Sequence, residues 1–203
     1  MEPDKFLTNA FLEKGKLLDE FRDNQPFRHL FLTNFLKKEL AEKIAVNLRN
    51  EKFVKKDSDL FKFSQTKSLA FSNNNVIKNF VEFLSSVDFL KLIKEICGLK
   101  VSKAIDIFGS LYENTDYLLC HDDRIDKRKI AFLFYFSEDF AEEDGGALGL
   151  FDSDKSGNPR SIARKYYPKW NSFMMFEVGK KSFHTVEEIL SDKKRYTVGG
   201  WLE

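Results

Sequence analysis

The segment YLLCHDD, residues 117–123, sets a histidine and two aspartates at the end of an apolar run. The chain holds three histidines, at positions 29, 121 and 184. If 117–121 is a strand, side chains two positions apart share a face, so His121 and Asp123 converge and Asp122 points away. An imidazole nitrogen and a carboxylate oxygen held together this way bind a cation or close a polar turn, and an H-x-D triplet alone does not decide between them. A second histidine in a strand-like segment, SFHTV, strengthens the metal reading: His184 lies 63 residues on (184 − 121). Two imidazoles and one carboxylate on one face of a metal leave three coordination positions open.

That facial set is the arrangement of non-haem iron(II) oxygenases, which use the open positions for a chelating cosubstrate and for oxygen. Eleven residues after His184 (195 − 184), Arg195 opens the last strand-like segment, RYTVGGWLE. Oxygenases of this type consume 2-oxoglutarate, whose 1-carboxylate and keto group chelate iron while its distal carboxylate reaches inward. A guanidinium offers that buried carboxylate a bidentate and permanently charged partner. Thr197 shares the face of Arg195 and could add a hydroxyl donor, and Tyr135 in FLFYF and Tyr112 in SLYEN could supply phenols. Taken singly, each is better explained as a core aromatic or a solvated cation. Together they fill the roles this chemistry requires.

The elements that must position these residues are legible in the hydrophobic pattern. Residues 3–23 carry Phe6, Ala10, Phe11, Leu17, Leu18 and Phe21 at helical spacing, and Pro26 breaks that pattern. FRHLFLTNFL reads as a strand leading into a turn. Leu36, Leu40, Ile44 and Leu48 mark a helix, and DLFKFSQ a short strand. After SNNN, residues 76–99 fit a helix or a broken pair of helices, with Gly98 as the stop. From residue 101 the period changes to two. AIDIFGSLY, DYLLCH, KIAFLFYF, ALGLF, SIARKYY, SFMMFEV, SFHTV and RYTVGGWLE are strand-like and separated by turn chemistry such as EEDGG and DSDKSGNP. The expected fold is α+β, mainly β: a jelly roll or double-stranded β-helix of cupin-like form, with N-terminal helices packed on one sheet. Residues 1–203 are expected to form a single catalytic domain, with 1–100 as mostly helical support and 101–203 as the core.

Composition narrows the class. Thirty-three Lys and Arg against 32 Asp and Glu do not advertise a nucleic acid or an anionic membrane as partner. No apolar run reaches membrane-spanning length, and the charged N-terminus lacks a signal-peptide core. Two cysteines, Cys97 and Cys120, suit a reducing compartment, so the expected location is the cytoplasm, or the nucleus by diffusion. DSDKSGNPRSIA begins like a calcium loop, but Ala163 stands where such a loop needs its bidentate Glu, so a hairpin turn is expected. His29 is expected to pack or cap locally, Cys120 to alternate away from the metal, and the KRK cluster at 127–129 to be a solvated hairpin end.

The motifs YLLCHDD, GGALGL, PKWNSFMMFEV, SFHTVEEIL and RYTVGGW, with PFRHLFLTNFL and DLFKFSQ upstream, resemble the iron- and 2-oxoglutarate-dependent prolyl hydroxylases that modify a small-subunit ribosomal protein. In eukaryotes this is the ribosomal prolyl 3-hydroxylase group, and the resemblance runs from about residue 25 to the end. It implies His121, Asp123 and His184 as iron ligands and Arg195 as the partner of the cosubstrate's distal carboxylate. Tyr135 matches the family's tyrosine fourteen residues after the first ligand (135 − 121), and Tyr112 the one nine residues before it (121 − 112). Thr197 stands where the family has Ser or Thr, and Leu118 packs beside the pocket. The cofactors implied are Fe(II), 2-oxoglutarate and O2, with ascorbate as an accessory. The partner implied is a protein carrying a target proline, a ribosomal protein first among them. Eukaryotic members continue into a second, non-catalytic double-stranded-helix domain, whereas this sequence stops at Glu203, which leaves the substrate less defined than the chemistry. Prolyl 4-hydroxylation, a small-molecule substrate, or a cupin-like binding module without turnover are the alternatives.

Overall fold

The computed structural model of the chain describes residues 3–9, 13–125 and 127–203. Its helices are α1 (Lys14–Asp23), α2 (Lys38–Arg49), α3 (Asn75–Leu84) and α4 (Val87–Cys97). Each buries one apolar stripe, and α3 and α4 are also capped by side chains at their N-termini. α2 buries Ala41, Ile44, Ala45 and Leu48. The Asn74 side chain accepts from the Val76 and Ile77 amides at the start of α3, and Ser86 does the same for Phe89 in α4. Gly98 ends α4 in the left-handed conformation, φ 71°, so the region expected as one helix or two is a capped pair.

The first helix begins later than its pattern predicts. Pro3–Lys5 is a single 3-10 turn, Leu7 bridges to Leu36, and Phe6 stacks on Phe83 with ring centroids 4.0 Å apart. These tertiary contacts hold the segment as a strap across the helices. Ala10 and Phe11, also assigned to that helix, lie outside the described residues.

The strands are β1 (His29–Leu32), β2 (Phe53–Ser58), β3 (Phe61–Thr66), β4 (Ala104–Tyr112), β5 (Tyr117–His121), β6 (Ile130–Tyr135), β7 (Leu148–Ser153), β8 (Pro159–Tyr166), β9 (Ser172–Glu177), β10 (His184–Val186) and β11 (Arg195–Leu202). They form one antiparallel sheet in the order β1-β9-β6-β11-β4-β3-β5-β10-β7-β8, with β2 on β3. Because β3 pairs with β4 through Ser64 and Gln65 but with β5 through Phe61 and Lys62, the sheet folds over there into two facing halves. This is the expected jelly-roll arrangement, and all eight strands expected after residue 101 are present. β2 was not foreseen. FVKKDS has no alternating apolar face, and only its ladder with β3 makes it a strand.

β6 and β9 read as unbroken apolar runs because both of their faces are buried. Phe132, Phe134, Phe173 and Met175 face the helices, while Ala131, Tyr135, Met174 and Phe176 face the interior of the folded sheet. The helices therefore cover one half of the sheet from outside, and the interior is left for the site. No described helix is long and apolar enough to cross a membrane.

Candidate active site

β5 and β10 are antiparallel neighbours with His121 opposite His184. Register alone thus joins two histidines that are 63 residues apart (184 − 121), and their ring centroids lie 4.2 Å apart. Asp123 completes the cluster, though not as a strand residue: β5 ends at His121, and Asp123 follows in the loop. Its Oδ1 lies 3.8 Å from His121 Nε2 and its Oδ2 3.5 Å from His184 Nε2. Asp122 turns outward, as expected, and pairs with Arg124 at 2.9 Å.

The histidines are oriented for a cation. His121 Nδ1 lies 2.8 Å from the Leu119 carbonyl, and His184 Nδ1 lies 2.9 Å from that of Ser182. A carbonyl only accepts, so both Nδ1 atoms carry a proton and both Nε2 atoms face Asp123. Burial, and then the neighbouring His121, push the His184 imidazole down to about 4, leaving it a neutral ligand near pH 7. One ligand atom from each of His121, Asp123 and His184 lies within 4.8 Å of the others. Two imidazoles and a carboxylate suit a first-row divalent ion such as Fe(II).

The three groups open onto a cavity of about 190 Å³ between the halves of the sheet. At its inner end is Arg195, fully buried. The guanidinium lies 5.1 Å from the ring centres of both Tyr112 and Tyr135, and its Nε donates to the Gly146 carbonyl at 3.1 Å. Among the described residues no carboxylate reaches it. A buried cation without a counter-ion is costly, and an anionic ligand group would relieve that cost. Thr197 and Tyr112 line the same end, and neither hydroxyl is bonded to another described residue. Burial raises both tyrosine pKa values, so the phenols remain protonated donors. Tyr135 is not on the cavity wall. Its hydroxyl accepts from Arg195 Nη2 at 3.4 Å. Leu118 lines the cavity as expected, and its carbonyl accepts from Thr185 at 2.6 Å.

Other contributors were not anticipated. Gly145 and Gly146 both have positive φ, 68° and 67°, and a Cβ on Gly145 would sit 2.0 Å from the Glu188 carbonyl oxygen. The EEDGG turn is therefore the device that aims the Gly146 carbonyl at Arg195, whereas the sequence marks it only as a turn. Phe63, Phe108 and Trp201 form an apolar wall that alternation could not single out among 22 phenylalanines. Arg128 corrects the expectation of a solvated hairpin end: it lies 3.4 Å from the Trp201 ring centre and pairs with Asp106 at 3.0 Å. His29 makes the expected local contact, with the Phe27 carbonyl, but its other ring nitrogen bonds Tyr166, 137 residues away, and Cys120 is exposed. DSDKSGNP is the β7–β8 hairpin, closed by Asp154 accepting from the Ser156 and Asn158 amides.

Known proteins point the same way. Residues 107–203 match the family model of the 2OG-Fe(II) oxygenase superfamily. The chain is 36% identical over 182 residues to the prolyl 3-hydroxylase OGFOD1 of Xenopus laevis, covering 89% of this chain and 35% of that protein. It is 31% identical to the prolyl 3-hydroxylase sudestada1 of Drosophila melanogaster, covering 88% and 35%. It therefore spans about a third of the length of these curated relatives. Among solved structures, a Pseudomonas putida prolyl-4-hydroxylase superposes with a TM-score of 0.71 at 17% identity, covering 92% of this chain and 98% of that one, which shows the shared fold. Residues 107–203, just under half of the chain, are thus similar to the 2OG-Fe(II) oxygenase superfamily.

Proposed function

We propose that this chain is an iron- and 2-oxoglutarate-dependent dioxygenase that hydroxylates a prolyl residue of a protein at C3. The observation that carries the reading is one cavity with a cation-binding triad at one side and an uncompensated buried arginine at its inner end. The prolyl 3-hydroxylase names of the relatives support the choice of reaction and substrate class. In this reading His121, Asp123 and His184 hold Fe(II), and bound iron supplies the redox chemistry that couples decarboxylation of 2-oxoglutarate to insertion of oxygen into a C–H bond. Every other task falls to the chain. Arg195 takes the distal carboxylate in a charge-assisted pair, Tyr112 and Thr197 donate to it, and Tyr135 and Gly146 fix the guanidinium. The apolar walls exclude water from the reacting centre. The described residues would act as a single catalytic domain. A small-subunit ribosomal protein is the substrate inferred from the resemblance, with ascorbate as an accessory reductant.

The test is turnover with Fe(II), 2-oxoglutarate, O2 and proline-containing ribosomal peptides, followed by succinate and by peptide mass. The expected result is succinate release matched by one added oxygen on proline, located at C3 by NMR. Succinate formation by His121→Ala at the wild-type rate would refute the metal assignment. Oxygen at C4 would change the regiochemistry, and turnover of free small molecules alone would overturn the protein substrate.

A further inference from the structure

Two polar side chains on the cavity wall have no part in either end of the site. β3 and β4 pair with Gln65 opposite Ser110, so both side chains stand side by side on the inner face. Ser110 is 6% exposed, and its hydroxyl meets no partner among the described residues. Gln65 is half-buried, and Lys56 Nζ donates to its Oε1. An ammonium can only donate, so the carboxamide oxygen is fixed toward Lys56 and its NH2 is the end left for the cavity. The wall thus presents an amide N–H and a hydroxyl in otherwise apolar surroundings that include Phe63 and Phe108.

These donors sit at the next same-face position from the Arg195–Tyr112 pair, two residues along the β11–β4 ladder, where Thr197 lies opposite Ser110. In the reading above, both carboxylates of 2-oxoglutarate already have partners, at Arg195 and at the metal. The acceptor that Gln65 and Ser110 await therefore belongs to something else in the cavity. A prolyl peptide supplies it. The bond preceding proline has no N–H, so the main chain there offers only a carbonyl, and a wall that recognises it must carry donors. The geometry points to Gln65 and Ser110 as the specificity-determining pair that receives the carbonyl preceding the target proline, an assignment that rests on the prolyl hydroxylase reading.

The experiment uses the peptide that wild type hydroxylates, in normal form and with that carbonyl replaced by a thioamide, a weaker acceptor. Gln65→Met and Ser110→Ala keep the volume and burial of the wall. Each should raise the peptide KM about tenfold, the loss of one hydrogen bond, with the KM for 2-oxoglutarate unchanged. The thioamide should raise the KM of wild type by a similar factor and add nothing further in the Gln65→Met Ser110→Ala double variant, a coupling that a merely structural role would not produce. Unchanged peptide KM in both variants, or a selective loss of 2-oxoglutarate affinity, overturns the pair's role and leaves the hydroxylase reading standing. If wild type hydroxylates no prolyl peptide while still turning over 2-oxoglutarate, that reading fails and this one with it.

Discussion

Arg195 and Asp123 show how single residues carry this site. Arg195 is fully buried, held by two rings and one backbone carbonyl, and has no described counter-ion. A cation kept in that state weakens the empty protein and is repaid when a carboxylate arrives. Arg195→Met should therefore leave the melting temperature of the ligand-free protein equal or higher. It should also lower 2-oxoglutarate affinity at least about a hundredfold, as expected for a buried charge that loses its partner. Thermal melts with and without 2-oxoglutarate and a redox-inert divalent ion read both effects, and a destabilised variant that still binds the cosubstrate would contradict the account. The two aspartates divide in the same manner. Asp122 is tied to Arg124 outside the site, whereas Asp123 faces both Nε2 atoms. Asp122→Asn should bind metal as wild type does and Asp123→Asn at least about tenfold more weakly, as titration calorimetry would show. The identities of these residues were legible in the sequence because H-x-D spacing and a late arginine are local signals. Tyr135 was named from the sequence as well, but the Gly146 carbonyl was not, because it reaches Arg195 only through contacts between distant parts of the chain.

At the scale of elements, strands give the site its register and turns give it its aim. β5 and β10 bring His121 opposite His184, and the 142–146 turn delivers the Gly146 carbonyl to Arg195. Gly145 has φ 68° and a space that a methyl group cannot share with the Glu188 carbonyl. Gly145→Ala combines left-handed strain with a backbone clash and should cost on the order of 2 kcal/mol or more. Because the displaced turn also carries the Gly146 carbonyl, 2-oxoglutarate binding should weaken in the fraction that remains folded. Chemical denaturation and cosubstrate titration of the same variant measure the two effects separately. Short apolar or aromatic runs between turns predicted β4 to β11: β6 and β9 read as strands without alternation, and the mostly exposed β8 was marked by the DSDKSGNP turn before it. β2 escaped because an exposed strand has no burial to imprint on its sequence, and the N-terminal helix was extended too far because contacts such as Leu7 with Leu36 and Phe6 with Phe83 override local spacing.

Across the whole molecule, the folded sheet has two ends, β1 and β8, that no ladder joins. Side chains join them instead. His29 on β1 is fully buried, and its Nδ1 lies 2.7 Å from the Phe27 carbonyl, so that nitrogen carries the proton and Nε2 accepts from the Tyr166 hydroxyl on β8. Phe31 packs on the Tyr166 ring with centroids 5.1 Å apart. Burial is the main reason the His29 pKa falls below 6.5, and the nearby Arg164 lowers it further while the Phe27 carbonyl opposes the shift. A depressed histidine pKa means that, below about pH 6.5, the unfolded chain takes up a proton that the folded chain refuses. The stability contributed by the neutral link is complete above that pH and is lost as pH falls toward the folded value, by at most about 1.4 kcal/mol per pH unit. His29→Asn should accordingly be less stable than wild type at pH 8, and the gap between the two should narrow steadily from pH 6.5 to pH 5. Taking the difference between the two proteins cancels other titrating groups, His184 among them. A gap independent of pH would show that His29 joins the two ends of the sheet through packing alone, with no contribution from its neutral, hydrogen-bonded form.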